Sequence, residues 1–256
     1  VTNQRMRYVA IGDSYTEGIG DELPDGTARG WADLVAQGIA DVLGEPIEYA
    51  NLAIRGRLIG PIIEEQLDAA LALAPTLISF NGGGNDIMRP RADIEVISDL
   101  YLDVLARCRE TGSDLLVISG ANPTRLLPAG RLFQARGDSL LKGVQQRLAE
   151  AEDVTTVMPW QDVVLQNPRF WSDDRLHLNT RGHHRVAALT LDGLGYTPHP
   201  EWWDLPGDDP QRTTGIRYYR QYVGPWVQRR LTKRSSGDGR AAKYPDWVVV
   251  EPKTQR

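Results

Sequence analysis

Ser14 follows Gly12 and Asp13 directly after the apolar run "YVAI". A strand ending near Ile11 would deliver that hydroxyl to the carboxyl edge of a sheet, where open α/β folds bind ligands. Taken alone, Asp13 and Ser14 read equally well as a turn or helix cap. Acyl transfer asks for more than a hydroxyl. It needs a base, and His177 is the candidate, with an ordinary imidazole pKa of about 6.5. An acid must hold that imidazole in one tautomer, and Asp174 stands three residues before it. The developing oxyanion needs donors. Gly56 in "NLAIRG" and the run Gly82-Gly83-Gly84 leave backbone amides accessible, and Asn85 adds a side-chain donor.

Each stretch has an ordinary meaning on its own. A glycine run is a tight turn, Asn85-Asp86 is a cap, and D-x-x-H recurs by chance. His183 and His184 read as surface or packing residues and His199, among prolines, as solvated. What chance does not supply is all four stretches in this order.

The elements that must position them alternate regularly. Short apolar or period-two runs at 7–11, 47–53, 76–81, 114–120 and 154–159 read as strands. Between them, apolar residues recur at helical spacing from Trp31 to Leu43, Ile62 to Leu73, Ile94 to Cys108 and Leu140 to Leu148. A last helix spans about Thr180 to Leu191. Alternation of this kind predicts a parallel sheet of about five strands covered by helices on both faces. In such a sheet the first three stretches leave strands at one common edge, however far apart they are in sequence.

On these residues the chain resembles the SGNH hydrolases, also called GDSL-type esterases and lipases. The family's GDS block is matched by Gly12-Asp13-Ser14, its second-block glycine by Gly56, its G-x-N-D by Gly83-Gly84-Asn85-Asp86, and its D-x-x-H by Asp174-Arg175-Leu176-His177. Tyr15 stands where the GDSL name has leucine. The resemblance covers roughly residues 6–195. It implies a three-layer α/β/α, flavodoxin-like fold and hydrolysis of acyl esters through an acyl-enzyme. Ser14 would be the nucleophile, His177 the base and Asp174 its orienting acid. The amides of Ser14 and Gly56 and the Asn85 side chain would form the oxyanion hole. Carboxylic esters, thioesters, lysophospholipids and acetylated carbohydrates all fall within the family, and fold does not choose among them. The rival is a non-enzymatic flavodoxin-like module cradling a mononucleotide or phosphate on "SYTEG". It leaves Asn85 and Asp174-x-x-His177 without a role. An ordinary α/β-hydrolase would place the serine in G-x-S-x-G, which residues 12–16 do not match.

Composition bounds the rest. The chain has 256 residues, 41% of them hydrophobic, enough for one sizeable core plus an extension. No run approaches the roughly 18 apolar residues of a membrane span, and the start has no apolar leader region, although Val1 is not an initiator methionine. The expectation is a cytoplasmic protein. The single cysteine, Cys108, falls on an apolar helix face as an inert thiol, and no His/Cys cluster has metal-ligand spacing, so no metal or cofactor is expected. Charge divides the chain: residues 1–211 carry net −13, and residues 212–256 carry net +8. Residues 196–256 therefore read as a basic extension, with an irregular Pro- and Gly-rich start, a helix interrupted at Gly224-Pro225 and a tail. Four of the seven tryptophans lie beyond residue 200, which favours packing of the extension on the 1–195 domain over nucleic-acid or membrane binding. Arg55 and Arg57 flank Gly56, and Arg89 and Arg91 follow Asn85. They are expected to rim the cleft and favour anionic esters. Trp160 and Trp171 are candidates for its wall or for the core.

Overall fold

The computed structural model describes residues 5–128, 130–207, 209, 212–232 and 234–253. Residues 1–4, part of the start read for a leader, and residues 254–256 of the stretch read as tail lie outside them. Five strands are parallel: β1 (Arg7–Ile11), β2 (Ile47–Asn51), β3 (Leu77–Phe80), β4 (Asp114–Ile118) and β5 (Val154–Val157). A sixth, β6 (Tyr244–Val250), pairs antiparallel with β2. The order across the sheet is β5-β4-β3-β1-β2-β6. The sheet is thus one strand wider than expected. The stretch read as tail contains the β-branched run Val248–Val250, which continues the sheet at the edge of β2.

The helices in chain order are α1 (Ser14–Glu17), α2 (Trp31–Leu43), α3 (Ile59–Pro61), α4 (Asp68–Ala72), α5 (Gly84–Ile87), α6 (Ile94–Thr111), α7 (Gly130–Leu148), α8 (Thr180–Gly193), α9 (Gly215–Tyr218) and α10 (Gly224–Leu231). Ile62–Leu67 joins α3 to α4, and Tyr219–Val223 joins α9 to α10, each as a π-helical stretch. Period two in β1 separates two cores. Tyr8 and Ala10 pack with Trp31, Ile39, Val186 and Leu191 of α2 and α8, while Val9 and Ile11 pack with Ile62, Val104, Leu140 and Val144 on the opposite face. The result is three layers. Cys108 sits in the second core, where burial pushes its thiol up to about 12, and such a thiol is unreactive at neutral pH.

The extension crosses back over this body. Trp202 enters the first core, and His199, expected to be solvated, is half-buried with Nε2 3.1 Å from Asp41 Oδ2 and its ring against Trp202. Lys243, just before β6, brings Nζ within 2.6–2.8 Å of the carbonyls of Glu17, Ala28 and Arg29 and of Asp33 Oδ2. Among the described residues no helix is long and apolar enough to cross a membrane.

Candidate active site

Chain order reverses at β1: the chain moves outward to β2, then crosses back to β3 on the other side. Ligands in open α/β sheets bind at such a switch point, and Ser14 and Asn85 leave it from β1 and β3. Asp13 caps α1, its Oδ1 accepting from Tyr15 N at 3.0 Å. Gly12 holds the approach. Its N–H donates to Gln66 Oε1 at 2.8 Å, and its carbonyl accepts from Gln66 Nε2 at 3.0 Å. A Cβ at Gly12 would come within 2.5 Å of Thr16 Oγ1, so the position has room for no side chain.

From the other end of the chain, a turn closed by the Trp171–Leu178 bridge and the Ser172 N–H bond to the His177 carbonyl (2.8 Å) brings in the acid and the imidazole. Asp174 Oδ1 accepts from the amides of Leu176 (2.9 Å) and His177 (3.0 Å), which leaves Oδ2 to meet His177 Nδ1 at 2.5 Å. His177 Nε2 then stands 3.0 Å from Ser14 Oγ. Hydroxyl, imidazole and carboxylate form one line, spaced for proton transfer. Burial opposes charge on His177, but the hydrogen bond and charge of Asp174 outweigh it and hold the imidazole above its ordinary value. Burial likewise works against the Asp174 carboxylate, and the bond to His177 prevails in holding it below the ordinary range.

Asn85 reaches the same place from α5. Its Nδ2 donates to Asp13 Oδ2 at 2.9 Å and to the Arg57 carbonyl at 3.0 Å. Both partners are acceptors, which identifies the atom as nitrogen. Burial pushes Asp13 up to about 6, against the pull of the Tyr15 amide. Gly56 lies in the loop after β2 at φ +76°, a left-handed conformation that favours glycine. Glu17 holds that loop, accepting the Arg55 amide at 2.6 Å and pairing with the Arg55 guanidinium.

Two compartments meet at Ser14, Asn85 and His177. The inner one, about 140 Å³, runs between the sheet and α7 and is walled by Val117, Leu140, Leu141, Val144, Met158 and Trp160. The outer one, about 420 Å³, lies under the extension, with Tyr218, Tyr222, Trp226, Arg229 and Arg234 facing Arg89 and Gly56.

The arginine rim expected from the sequence is rearranged. Arg55 pairs with Glu17 and Arg57 with Glu65 (2.7 Å), and neither lines a compartment. Arg89 does line the outer one, and Arg229 and Arg234 join it from the extension. Trp160 and Trp171 both border the inner one, with indole N–H groups given to Asp138 Oδ1 and the Leu165 carbonyl. His183 is fully buried, accepting from Trp31 N at 3.1 Å with Nε2 3.1 Å from the Ile19 carbonyl, and burial drives it down to about 4. Sequence reasoning missed Gln66 and Glu17. Gln66 follows Glu64 and Glu65, and Glu17 lies in "SYTEG", so neither stands out from its neighbours. Among the described residues no group of His, Cys, Asp or Glu is arranged to hold a metal ion.

Residues 10–185 match the GDSL-like Lipase/Acylhydrolase family. The chain belongs to that family. It is accordingly a hydrolase acting on ester bonds. Solved structures with the same fold include the lipase Lip_vut3 from a goat rumen metagenome (20% identity, TM-score 0.61, 75% of this chain and 98% of that one). The psychrotrophic esterase EstA from Pseudoalteromonas sp. aligns at 17% identity and TM-score 0.59, over 74% of this chain and 96% of its own. An acetyl xylan esterase from Geobacillus stearothermophilus aligns at 17% and 0.58, over 75% and 95%. No curated protein matches.

Proposed function

We propose that this GDSL-family hydrolase cleaves acyl esters or thioesters through an acyl-enzyme formed on Ser14. The observation that carries this reading is the unbroken line from Ser14 Oγ through His177 to Asp174 Oδ2, set at the mouth of an apolar chamber. Ser14 Oγ attacks the ester carbonyl while His177 Nε2 takes its proton. Asp174 holds Nδ1–H and stabilises the imidazolium. His177 then protonates the leaving oxygen or sulfur, and water repeats the cycle on the acyl-enzyme. The oxyanion is received by the amides of Ser14 and Gly56 and by Asn85 Nδ2. One Asn85 donor must be drawn from, or shared with, Asp13 or the Arg57 carbonyl as charge develops on the substrate oxygen.

The acyl chain occupies the inner compartment, whose wall is apolar. The alcohol side lies in the outer one, where Arg89, Arg229 and Arg234 face it. Among the described residues none of these three is ion-paired. That favours esters with an anionic leaving part, lysophospholipids among them. A mononucleotide site would leave the imidazole–hydroxyl contact and the apolar chamber without use. The test is hydrolysis of p-nitrophenyl esters from acetate to palmitate, with Ser14→Ala as blank and a fluorophosphonate probe as titrant. Stoichiometric labelling of the wild type and none of the variant is expected. Equal labelling of both removes Ser14 from the reaction.

A further inference from the structure

The family match stops at residue 185, and the aligned structures leave about a quarter of this chain unmatched while nearly all of their own length is covered. The extension nevertheless reaches the reacting groups from two sides. On one side it grips both neighbours of Asp174. Asp173 accepts from Thr213 N at Oδ1 (2.6 Å) and from the Tyr222 hydroxyl at Oδ2 (2.8 Å). Arg175 lays its guanidinium 3.9 Å from the centre of the Tyr218 ring and donates from Nη2 to the Thr213 carbonyl at 2.9 Å. Tyr218, almost wholly buried, donates its hydroxyl to the carbonyl of Asp174 itself at 3.2 Å.

Arg175 needs this grip. Its φ of +63° lies in the left-handed region, which a bulky side chain occupies only when its surroundings impose it. The strained residue stands between the acid and the imidazole, so relaxing it would turn Asp174 and His177 relative to each other. On the other side, the extension packs against the loop of Gly56. A Cβ on Gly56 would come within 2.2 Å of Ser235 Oγ, and one on Gly237 within 2.1 Å of the Arg55 carbonyl.

We propose that the extension is a working part of the active site, in which Tyr218, Tyr222 and Thr213 are positioning residues that hold the 173–177 turn so that His177 stays in line with Ser14. This rests on the reading of Ser14 and His177 given above. A wall over the outer compartment would limit which alcohols enter, whereas a clamp on the turn governs attack on every ester.

The experiment uses the full chain carrying Tyr218→Ala, Tyr218→Phe or Tyr222→Phe, with a methyl and a p-nitrophenyl ester of the same acyl group. Tyr218→Ala is expected to lower kcat by roughly 10- to 100-fold, by the same factor on both esters, because a misplacement near 1 Å costs that much. Tyr222→Phe and Tyr218→Phe, each of which removes one oxygen, are expected to lower it by a smaller common factor, Tyr218→Phe keeping the ring on which Arg175 rests. The acid limb of kcat/KM supplies a second readout. The charged groups facing His177 are Asp174, Asp13 and Arg55, and Asp174 is the one whose backbone is tied to Tyr218. Asp174 raises His177, so loosening it moves the acid limb to lower pH. Unchanged kcat and acid limb in Tyr218→Ala and Tyr222→Phe overturn the proposal, as does a loss confined to the bulkier alcohol. If Tyr218→Ala unfolds, Tyr222→Phe alone decides, since it keeps the ring. A wild type that neither hydrolyses esters nor takes the fluorophosphonate fails the earlier reading; an active wild type with unaltered variants fails only this one.

Discussion

In the α/β body, whole faces do the holding: β1 sends Tyr8 and Ala10 into one core and Val9 and Ile11 into the other, and no single contact is decisive. In the extension, apolar contacts such as Trp202 in the first core are joined by a few well-partnered polar groups. Lys243 lies within hydrogen-bond reach of three carbonyls and a carboxylate, and Tyr218 and Tyr222 tie down one turn. Apolar packing spreads its contribution over many small contacts, although truncating one buried side chain still costs about 2–5 kcal/mol. A half-broken buried polar contact is costly because the remaining partner keeps its desolvation penalty. The two parts thus differ in how widely their contacts are spread.

The sharpest way to test that division is within the body's own line. Ser14→Ala and His177→Ala should each lower kcat by about 10⁶-fold, and the double variant should be scarcely worse, because nucleophile and base act as a unit. Additive losses would separate them. Next is Lys243→Met, which leaves Asp33 buried without its cation and should cost ~3–5 kcal/mol in denaturant unfolding. Burial already pushes Asp33 up to about 7 against the pull of Lys243, so pairing Lys243→Met with Asp33→Asn should recover part of the loss. A Lys243→Met protein as stable as wild type would mean that area, not polar contact, seats the extension. Asn85→Ala should lower kcat by roughly 10²–10³ with little change in KM. A raised KM at constant kcat would make Asn85 a binding group. The smallest effect belongs to the outer compartment. Arg229→Ala with Arg234→Ala should reduce kcat/KM severalfold for an anionic ester relative to a neutral one of equal acyl length. The difference should shrink as salt rises, because exposed charges are screened beyond about 10 Å at 0.1 M.

Sequence patterning exposed the two parts unequally, for physical reasons. Strands β1 to β5 and the long helices carry their signal in every second or every third to fourth residue, since their faces are buried. Three of the four candidate stretches are visible because each follows a strand, and the fourth because it leads into α8. Strand β6 has an apolar run, Trp247–Val250, but Pro245 and Asp246 before it mimic loop chemistry and nothing local announces a partner at β2. Gln66 and Glu17 act across long sequence separations, on Gly12 and on Arg55, which leave no period to detect. Arg55 and Arg57 mislead for the opposite reason. Their position beside Gly56 is evident, but the acids that claim them, Glu17 and Glu65, become neighbours only after folding.

The antiparallel pairing of β6 with β2 also bears on how the chain survives its own synthesis. Until β6 arrives, the outer edge of β2 presents unpaired N–H and C=O groups, the template on which chains join edge to edge. At ~5–20 residues per second, the chain between the two strands takes on the order of 10–40 s to make. During that interval a translating polysome holds many open edges close together. Once β6 closes on β2, the new rim carries Pro245 and Asp246 near its start, residues that resist further pairing. Pairing with β6 thus covers the edge on which nascent copies would otherwise join.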